Sequence, residues 1–334
     1  MTENAPGPTG QARPNRRRGS GCARRLAWAL MLCGVGAFAG AAAAQTGPAP
    51  TGPAPTGPAP TGYVSILGGG PVYKHVPKNI MELKKSGFNE LIVWSVEVGS
   101  TGNLNLNGEF PLTSSGAYIG NETYPDFPAD LKKIKQGTVT RVTLSIGSSN
   151  YGDWENIEAL VDSQGTGPGS ILHQDFAALK QALPIDAIDF DEENGYDQAS
   201  TVKFAVMLGK LGYHVTMDPY TNSGFWTSVV SQINDKRAGT VDAIHLQTYA
   251  GGEGNSPCSG WDFGSVPVYP GVSDQTSAPP YLTPPEAKAA MKNWHEQCGI
   301  TGGWLWIFDQ IAGTHLVRAY AHAITKGVGG TASR

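Results

Sequence analysis

The amino-acid sequence predicts an α/β protein built on a single (β/α)8, or TIM, barrel. Apolar segments of strand length recur along residues 63–326, and amphipathic segments separate most of them. The stretch is about 260 residues long, an ordinary size for one such barrel. Near-continuous apolar strands that alternate with helices favour a parallel sheet, because helices then cover the sheet. Eight strands favour closure into a barrel.

The eight predicted strands follow one another along the chain. They are 63–67, 91–96, 139–146, 185–191, 214–217, 243–249, 266–269 and 304–308. Helices are predicted at 78–87, 128–136, 171–182, 199–211, 225–236, 284–297 and 314–325. Between strands six and seven we expect no helix or a short one, because 250–265 is rich in Gly, Ser and Pro. An open doubly wound sheet is the alternative, but no Gly-x-Gly-x-x-Gly fingerprint opens the first helix.

The regions outside the barrel have other signatures. Residues 1–44 have the arginine-rich start, the apolar run and the small-residue end of a cleaved export signal. An uncleaved membrane anchor is the alternative, since the apolar run approaches membrane-spanning length. Residues 45–62 repeat Thr-Gly-Pro-Ala-Pro, a composition typical of an extended spacer. Residues 327–334 are predicted to be a flexible tail. We therefore expect a secreted or periplasmic protein, or one tethered to the cell surface if the signal stays.

The charge balance of the mature chain narrows its partners. Six of the 24 basic and one of the 28 acidic residues lie in 1–44, which leaves 18 basic against 27 acidic residues, a net charge of −9. An acidic surface argues against nucleic acid and anionic lipid as partners. It suits a neutral substrate such as a sugar chain. We expect no stable membrane insertion after signal cleavage, and a monomer.

Two cysteines remain once the signal is removed. Cys258 and Cys298 are a candidate disulfide in an exported protein, and two separate buried thiols are the alternative. Closing a loop of this length would contribute about 4 kcal/mol on the chain-entropy account. A zinc site is not expected, because no Cys-x-x-Cys or matched His spacing accompanies the pair.

The most informative segment is Asp-Ala-Ile-Asp-Phe-Asp-Glu-Glu at 186–193, a strand that becomes acidic as it ends. Alternation along a strand places Asp189, Asp191 and Glu193 on one side. Crowded, partly buried carboxyls raise at least one pKa, which yields a general acid beside a carboxylate that stays ionised. A solvated strand edge and a calcium loop are the alternatives. The calcium loop would need Gly at position 6 and a carboxylate at position 12, which are Asn194 and Ser200.

Polar and aromatic side chains follow most of the predicted strands, at the end of a barrel where active sites lie. They are Glu97, Ser148, Asn150, Asp191, Glu193, Asp218, Tyr220, Gln247, Tyr249, Trp306 and Asp309. Each one alone is ordinary. Their common location predicts an active site at this end, for which we expect neither a metal nor a cofactor.

The acidic segment resembles the Asp-x-x-Asp-x-Asp-x-Glu signature of family 18 glycoside hydrolases, which include chitinases and endo-β-N-acetylglucosaminidases. Ala187 stands where that family usually has Gly. The segment 145–148 resembles the family's third-strand Ser-x-Gly-Gly, 247–249 its sixth-strand segment ending in a catalytic Tyr, and 302–306 its last strand. The resemblance covers nearly all of 63–326.

The resemblance implies substrate-assisted, retaining hydrolysis next to a 2-acetamido sugar. Glu193 would be the general acid and then the general base. Asp191, ionised, would orient the acetamido group, and Tyr249 would donate its hydroxyl to the acetamido oxygen. Asp189 would lie deeper and tune Asp191, whereas Asp186 would be structural.

The resemblance also implies sugar-contacting residues beside Asp189. Gln247 and Trp306 would contact the substrate, the latter as the floor of the site. Trp94 and Tyr220 would line the groove, with core packing as the alternative. Because the chain lacks room for a large insertion between strands seven and eight, we expect an open groove and endo-cleavage. Chitin is the favoured substrate; N-glycan cores, wall glycans and a non-catalytic carbohydrate-binding role remain alternatives.

Overall fold

The computed structural model describes residues 62–148 and 151–331. The expected signal, residues 45–61 of the expected spacer, Asn150 and the end of the expected tail lie outside them. Eight parallel strands form the sheet: β1 (Tyr63–Gly68), β2 (Glu90–Val98), β3 (Arg141–Ile146), β4 (Ala187–Phe190), β5 (His214–Met217), β6 (Val241–Gln247), β7 (Val268–Ser273) and β8 (Gly302–Trp306). β1 pairs with both β2 and β8, which closes the barrel. The prediction of a single (β/α)8 barrel is confirmed.

Helices surround the strands, and each longer one buries an apolar stripe against the sheet. They are Gly70–Tyr73, Pro77–Lys84, Phe127–Ile134, Asp153–Gln164, Ile171–Ala182, Gln198–Lys210, Ser223–Lys236, Pro284–Cys298, Phe308–Ile311 and Leu316–Gly327. Their starts follow local chemistry: Asp197 accepts a hydrogen bond from the backbone N–H of Ser200, and Thr283 and Glu286 form a capping box. No helix within the described ranges has the length and apolar character needed to cross a membrane.

Several elements differ from the sequence-based prediction. The helix Asp153–Gln164 is new, although its buried Trp154, Ile157 and Leu160 carry the spacing that predicts a helix. A hairpin of Leu104–Leu106 and Phe110–Pro111 extends β2, in strands too short for a periodic signal. β7 begins two residues later than expected, and β8 stops at Trp306, after which a short helix begins at Phe308. Between β6 and β7, where both strands are described, no helix occurs, as expected.

The β6–β7 loop is tied to the rest of the barrel. Cys258 in this loop is bonded to Cys298 at the end of the helix Pro284–Cys298, with the two Cα atoms 5.4 Å apart. The bond therefore joins a long loop without regular structure to a helix on the outer wall. It spans 40 residues of sequence.

The core has two layers. The larger lies between strands and helices, and a smaller aromatic cluster fills part of the barrel interior, including Tyr63, Tyr249, Tyr269 and Trp304. Trp304 fits inside because position 271 is glycine: a Cβ there would lie 2.1 Å from the indole ring. Polar residues share this interior, and they lead to the carboxyl ends of the strands.

Candidate active site

The deepest carboxylate of the acidic segment is Asp189, which is fully buried in the barrel interior. Register places it between Ser145 on β3 and Thr216 on β5. Both hydroxyls donate hydrogen bonds to its carboxylate, that of Ser145 over 3.0 Å. On another side, Nδ1 of His245 lies 3.3 Å from Oδ1 of Asp189. Hydrogen-bond donors therefore surround this carboxylate.

Asp191 lies one layer higher and is also buried. Nε1 of Trp94 donates to Oδ2 over 3.2 Å, and Nε2 of Gln247 approaches Oδ1 at 3.4 Å. Burial raises the pKa of Asp191 well above its ordinary value, and the negative charges of Glu193 and Asp189 add to the rise. These effects make Asp191 harder to ionise than an exposed aspartate.

Glu193 is partly buried, and burial raises its pKa. Burial is the cause of this rise, and the charge of Glu193 in turn raises the pKa of Asp191. Glu192, between the two, turns to the opposite side, where Oγ1 of Thr201 donates to it. Burial raises the pKa of Glu192 to about 8. Alternation along the chain thus separates Glu192 from the acids that face the site.

A glycine leaves room for this arrangement. Gly147, in the 145–148 segment after β3, has φ +98°, and a Cβ at this position would lie 2.4 Å from the backbone oxygen of Asp191. A side chain here would collide with the backbone that carries the acid. The Ser-x-Gly pattern therefore has a steric reason.

Aromatic rings form the wall around Asp191. The ring of Trp306 lies 5.3 Å from that of Trp94 and 5.9 Å from that of Tyr249, between centroids. Burial, followed by the nearby carboxylate of Asp218, raises the pKa of Tyr249 well above its ordinary value. Its hydroxyl stays protonated and is available as a hydrogen-bond donor. The structure thus brings the three aromatic residues together beside Asp191.

Tyr220 and Asp218 follow β5 and lie near the same carboxyls. Burial raises the pKa of Tyr220, and the charges of Glu193 and Asp191 contribute. Asp218 is buried, and its Oδ1 has no hydrogen-bond partner. Burial and three neighbouring carboxylates raise its pKa well above the ordinary value. From the sequence, Asp218 is predicted only as a strand-end residue, without a role in the site. Its position two residues after Thr216 is the sequence signal that could have placed it near the other carboxyls.

Other acidic residues have structural surroundings. Asp186, at the foot of β4, pairs with Nζ of Lys135 at 2.7 Å and accepts the backbone N–H of Val142. Asp309, beyond β8, accepts the backbone N–H of Gly69 over 2.7 Å. The hydrogen bonds of Asp186 and Asp309 among the described residues do not reach the carboxyls of the site.

In the part of the chain that the structure describes, no cluster of three or more His, Cys, Asp or Glu side chains is arranged to hold a metal ion. A cavity of about 570 Å³ lies before β2 and β3, at the other end of the barrel, and includes none of the acids above. Its lining includes the basic side chains of Lys84, Lys85 and Arg318.

Comparison with known proteins supports the fold. No family model matches the sequence. No curated protein matches it either. Among solved structures, the catalytic domain of a family GH18 chitinase from the fern Peteris ryukyuensis is 15% identical over 79% of this chain and 99% of its own, with a TM-score of 0.53.

Two microbial structures are similar in the same way. Active domain 2 of a chitinase from Pyrococcus furiosus is 12% identical over 83% of this chain and 96% of its own, with a TM-score of 0.56. A chitinase from Bacteroides thetaiotaomicron is 12% identical over 80% and 97%, with a TM-score of 0.53. At these identities, the likeness shows that the chain has the fold of these chitinases.

Proposed function

We propose that this chain is a family 18 type glycoside hydrolase that cleaves β-1,4 bonds next to N-acetylglucosamine, with chitin as the favoured substrate. One observation carries the proposal: Asp189, Asp191 and Glu193 ascend one side of the barrel mouth from full to partial burial. The lowest is surrounded by donors, the middle one has a pKa raised by burial and by its neighbours, and the highest is the most accessible. Because their surroundings differ, these three carboxyl groups can perform different tasks in one reaction.

The first step uses Glu193 as the acid. Its proton passes to the glycosidic oxygen while the bond from that oxygen to the anomeric carbon breaks. The acetamido carbonyl oxygen of the same sugar bonds to the anomeric carbon and forms an oxazolinium ion, so no protein nucleophile is required. Because burial raises the pKa of Glu193, this carboxyl retains its proton closer to neutral pH than an exposed Glu does.

The second step reverses the proton flow. Glu193, now a carboxylate, takes a proton from water, whose oxygen bonds to the anomeric carbon. The bond from that carbon to the acetamido oxygen breaks, and the acetamido group is restored. Two displacements at one carbon retain its configuration.

Asp191 and Tyr249 act on the acetamido group. Asp191 accepts its N–H, and the hydroxyl of Tyr249 donates to its oxygen. The positive charge of the oxazolinium favours ionisation of Asp191, whose carboxylate then stabilises the intermediate electrostatically, while Glu193 remains the carboxylate that activates water. The donors on Trp94 and Gln247 hold the Asp191 carboxyl in place during this change.

The aromatic wall suits a sugar with exposed C–H faces. Trp306, packed against Trp94 and Tyr249, offers an apolar surface for the sugar ring. Chitinases among the similar structures support chitin as the substrate. An endo-β-N-acetylglucosaminidase acting on N-glycans is the second candidate, since its substrate carries the same acetamido group. Export, a spacer at 45–62 and a monomeric state complete the proposal.

Hydrolysis by the full chain tests it. We expect release of shorter products from chitin oligomers, and Glu193→Gln to lower kcat about 100-fold or more, the usual worth of a general acid. Glu192→Gln is the matched control: the same chemical change one residue away, in a side chain turned from the site. Cleavage of a high-mannose glycopeptide alone would select the N-glycan candidate. If wild type and Glu193→Gln bind chitin oligomers but neither cleaves any substrate, the catalytic proposal fails.

A further inference from the structure

A line of buried charged groups runs through the barrel beneath the site. Glu90 on β2, Asp189 on β4 and His245 on β6 are each fully buried, and Arg141 on β3 is largely so. Among them, only Asp189 belongs to the acidic segment of the site. Burying charges costs free energy unless each is paired, so their arrangement calls for a physical account.

The contacts of His245 determine its protonation state. Nδ1 lies 3.3 Å from Oδ1 of Asp189, and Nε2 lies 3.3 Å from Oε2 of Glu90. A neutral imidazole carries one N–H and would direct a lone pair at one of these carboxylates. An imidazolium lies within ion-pair distance of both carboxylates, with a hydrogen bond from Nδ1 to Asp189. Burial acts to lower the pKa of His245, but the two carboxylates together raise it to about 9.

Glu90 is fixed as an anion on the other side of the imidazole. Nε of Arg141 lies 3.0 Å from its Oε1, and the hydroxyls of Ser65, Thr143 and Tyr63 donate to the carboxylate. Burial alone would raise the pKa of Glu90, but Arg141 and His245 hold it below its usual range. Glu90 therefore anchors one ring nitrogen of His245 and leaves the other facing Asp189.

Uncharged rings enclose the remaining faces of His245. Tyr63 on β1 stacks on it at 6.3 Å between centroids, and Trp304 on β8 lies at 5.9 Å. Burial and the charge of Glu90 raise the pKa of Tyr63 well above its ordinary value, so its hydroxyl stays neutral. The imidazole is thus held on every side, with Glu90 and Asp189 as its charged contacts.

We propose that His245 is a positioning residue: a buried imidazolium that bridges Glu90 and Asp189 and holds the Asp189 side chain in place beneath Asp191. With Ser145 and Thr216, it completes three donors around that carboxylate. The charge of Asp189 in turn contributes to the raised pKa of Asp191. The ion bridge stands on its own, while its effect on turnover rests on the proposed function.

Carboxyl titration by carbon-13 NMR of the full-length protein tests the bridge without turnover. In His245→Gln the cation beneath the site is lost, so the carboxyl of Asp191 binds a proton more readily. We expect its titration midpoint to move upward by about one pH unit, the usual effect of one close charge. His214→Gln is the matched control, because His214 pairs with Asp242 at 3.1 Å, at the start of β5. Equal titrations in both variants would overturn the proposal.

Nitrogen-15 NMR of wild type provides a measurement that needs no variant to fold. At neutral pH both ring nitrogens of His245 are expected to carry protons, with deprotonation only in the alkaline range. A neutral tautomer at pH 7 would overturn the proposal.

Kinetics then separate a positioning role from a purely structural one. The acidic limb of kcat/KM against pH should move to higher pH in His245→Gln, and kcat should fall roughly tenfold or more as Asp191 is misplaced. In an Asp189→Asn background, His245→Gln should have little further effect. An equal loss in both backgrounds would overturn the role. If wild type does not hydrolyse chitin oligomers, the proposed function fails, while the NMR titrations still decide the bridge.

Discussion

Tyr249 occupies the buried side of the site, where its hydroxyl has one chemical state. Burial and the neighbouring carboxylates raise its pKa so far that it remains a donor at any working pH. A tyrosine at this position therefore offers a proton for a hydrogen bond without competing as an acid. A permanent donor suits the role proposed for Tyr249, a hydrogen bond to the acetamido oxygen while charge develops nearby.

Removal of this hydroxyl tests its role. Tyr249→Phe should lower kcat about 100-fold, the typical worth of one donor to a developing charge, with a smaller change in KM. Tyr213→Phe is the control, since Tyr213 is also buried and donates its hydroxyl to the carbonyl of Phe176, away from the site. Steady-state kinetics on chitin oligomers measure both variants. Equal losses of kcat would mean that a missing buried hydroxyl, and not contact with substrate, lowers the rate.

Residue identities within the acidic strand were predictable, but their partners were not. Alternation alone places Asp189, Asp191 and Glu193 on one side. The contact of Asp189 with His245 joins strands separated by 56 positions, and no local pattern encodes it. A lone His in an apolar strand has the same local signature whether it is neutral or charged.

At the scale of elements, residues that follow one another at two-residue spacing along β4 and β6 contact each other in successive layers of the barrel. His245 contacts Asp189, Gln247 contacts Asp191, and Tyr249 lies two residues beyond the end of β6. Successive inward positions of each strand thus carry one layer of the site. The two-residue period of a strand, combined with barrel closure, is sufficient to build this arrangement.

The elements that sequence reasoning missed carry weaker signals. The helix Asp153–Gln164 lies beside another helix, Ile171–Ala182, within a single β3–β4 connection, whereas one helix per connection was expected. The hairpin after β2 has strands of two or three residues among Gly and Asn, so its pairing depends on packing against β2. The strands that carry the site, in contrast, are apolar and regular.

The disulfide should stabilise the β6–β7 loop against the outer wall. Replacing both cysteines, as Cys258→Ala with Cys298→Ala, should lower the free energy of unfolding by about 4 kcal/mol, because the unfolded chain regains the freedom of the closed loop. Denaturant unfolding measures the change, and kcat of the folded variant should be unaffected. A loss below about 1 kcal/mol would mean that packing, not the bond, fixes this loop.

At the scale of the whole molecule, the candidate site and the ion pairs of Arg141 lie at different ends of the barrel. The acids and aromatic rings meet at the carboxyl ends of the strands, whereas the pairs of Arg141 with Asp242 and Glu90 lie at the opposite ends. Strand count and chain length were enough to predict the barrel, because closure needs only eight apolar strands joined by short crossovers. Substrate choice depends on loop shape, which no periodicity encodes.

The stereochemistry of the first product tests the central claim, that the substrate's own acetamido group is the nucleophile. Proton NMR of fresh chitin-oligomer hydrolysate should show the β-anomer first, before mutarotation, and the same oligomer without N-acetyl groups should not be cleaved. Retention with an acetamido requirement is the result that this mechanism predicts. An α-anomer as the first product, or equal cleavage of the de-N-acetylated oligomer, would contradict it.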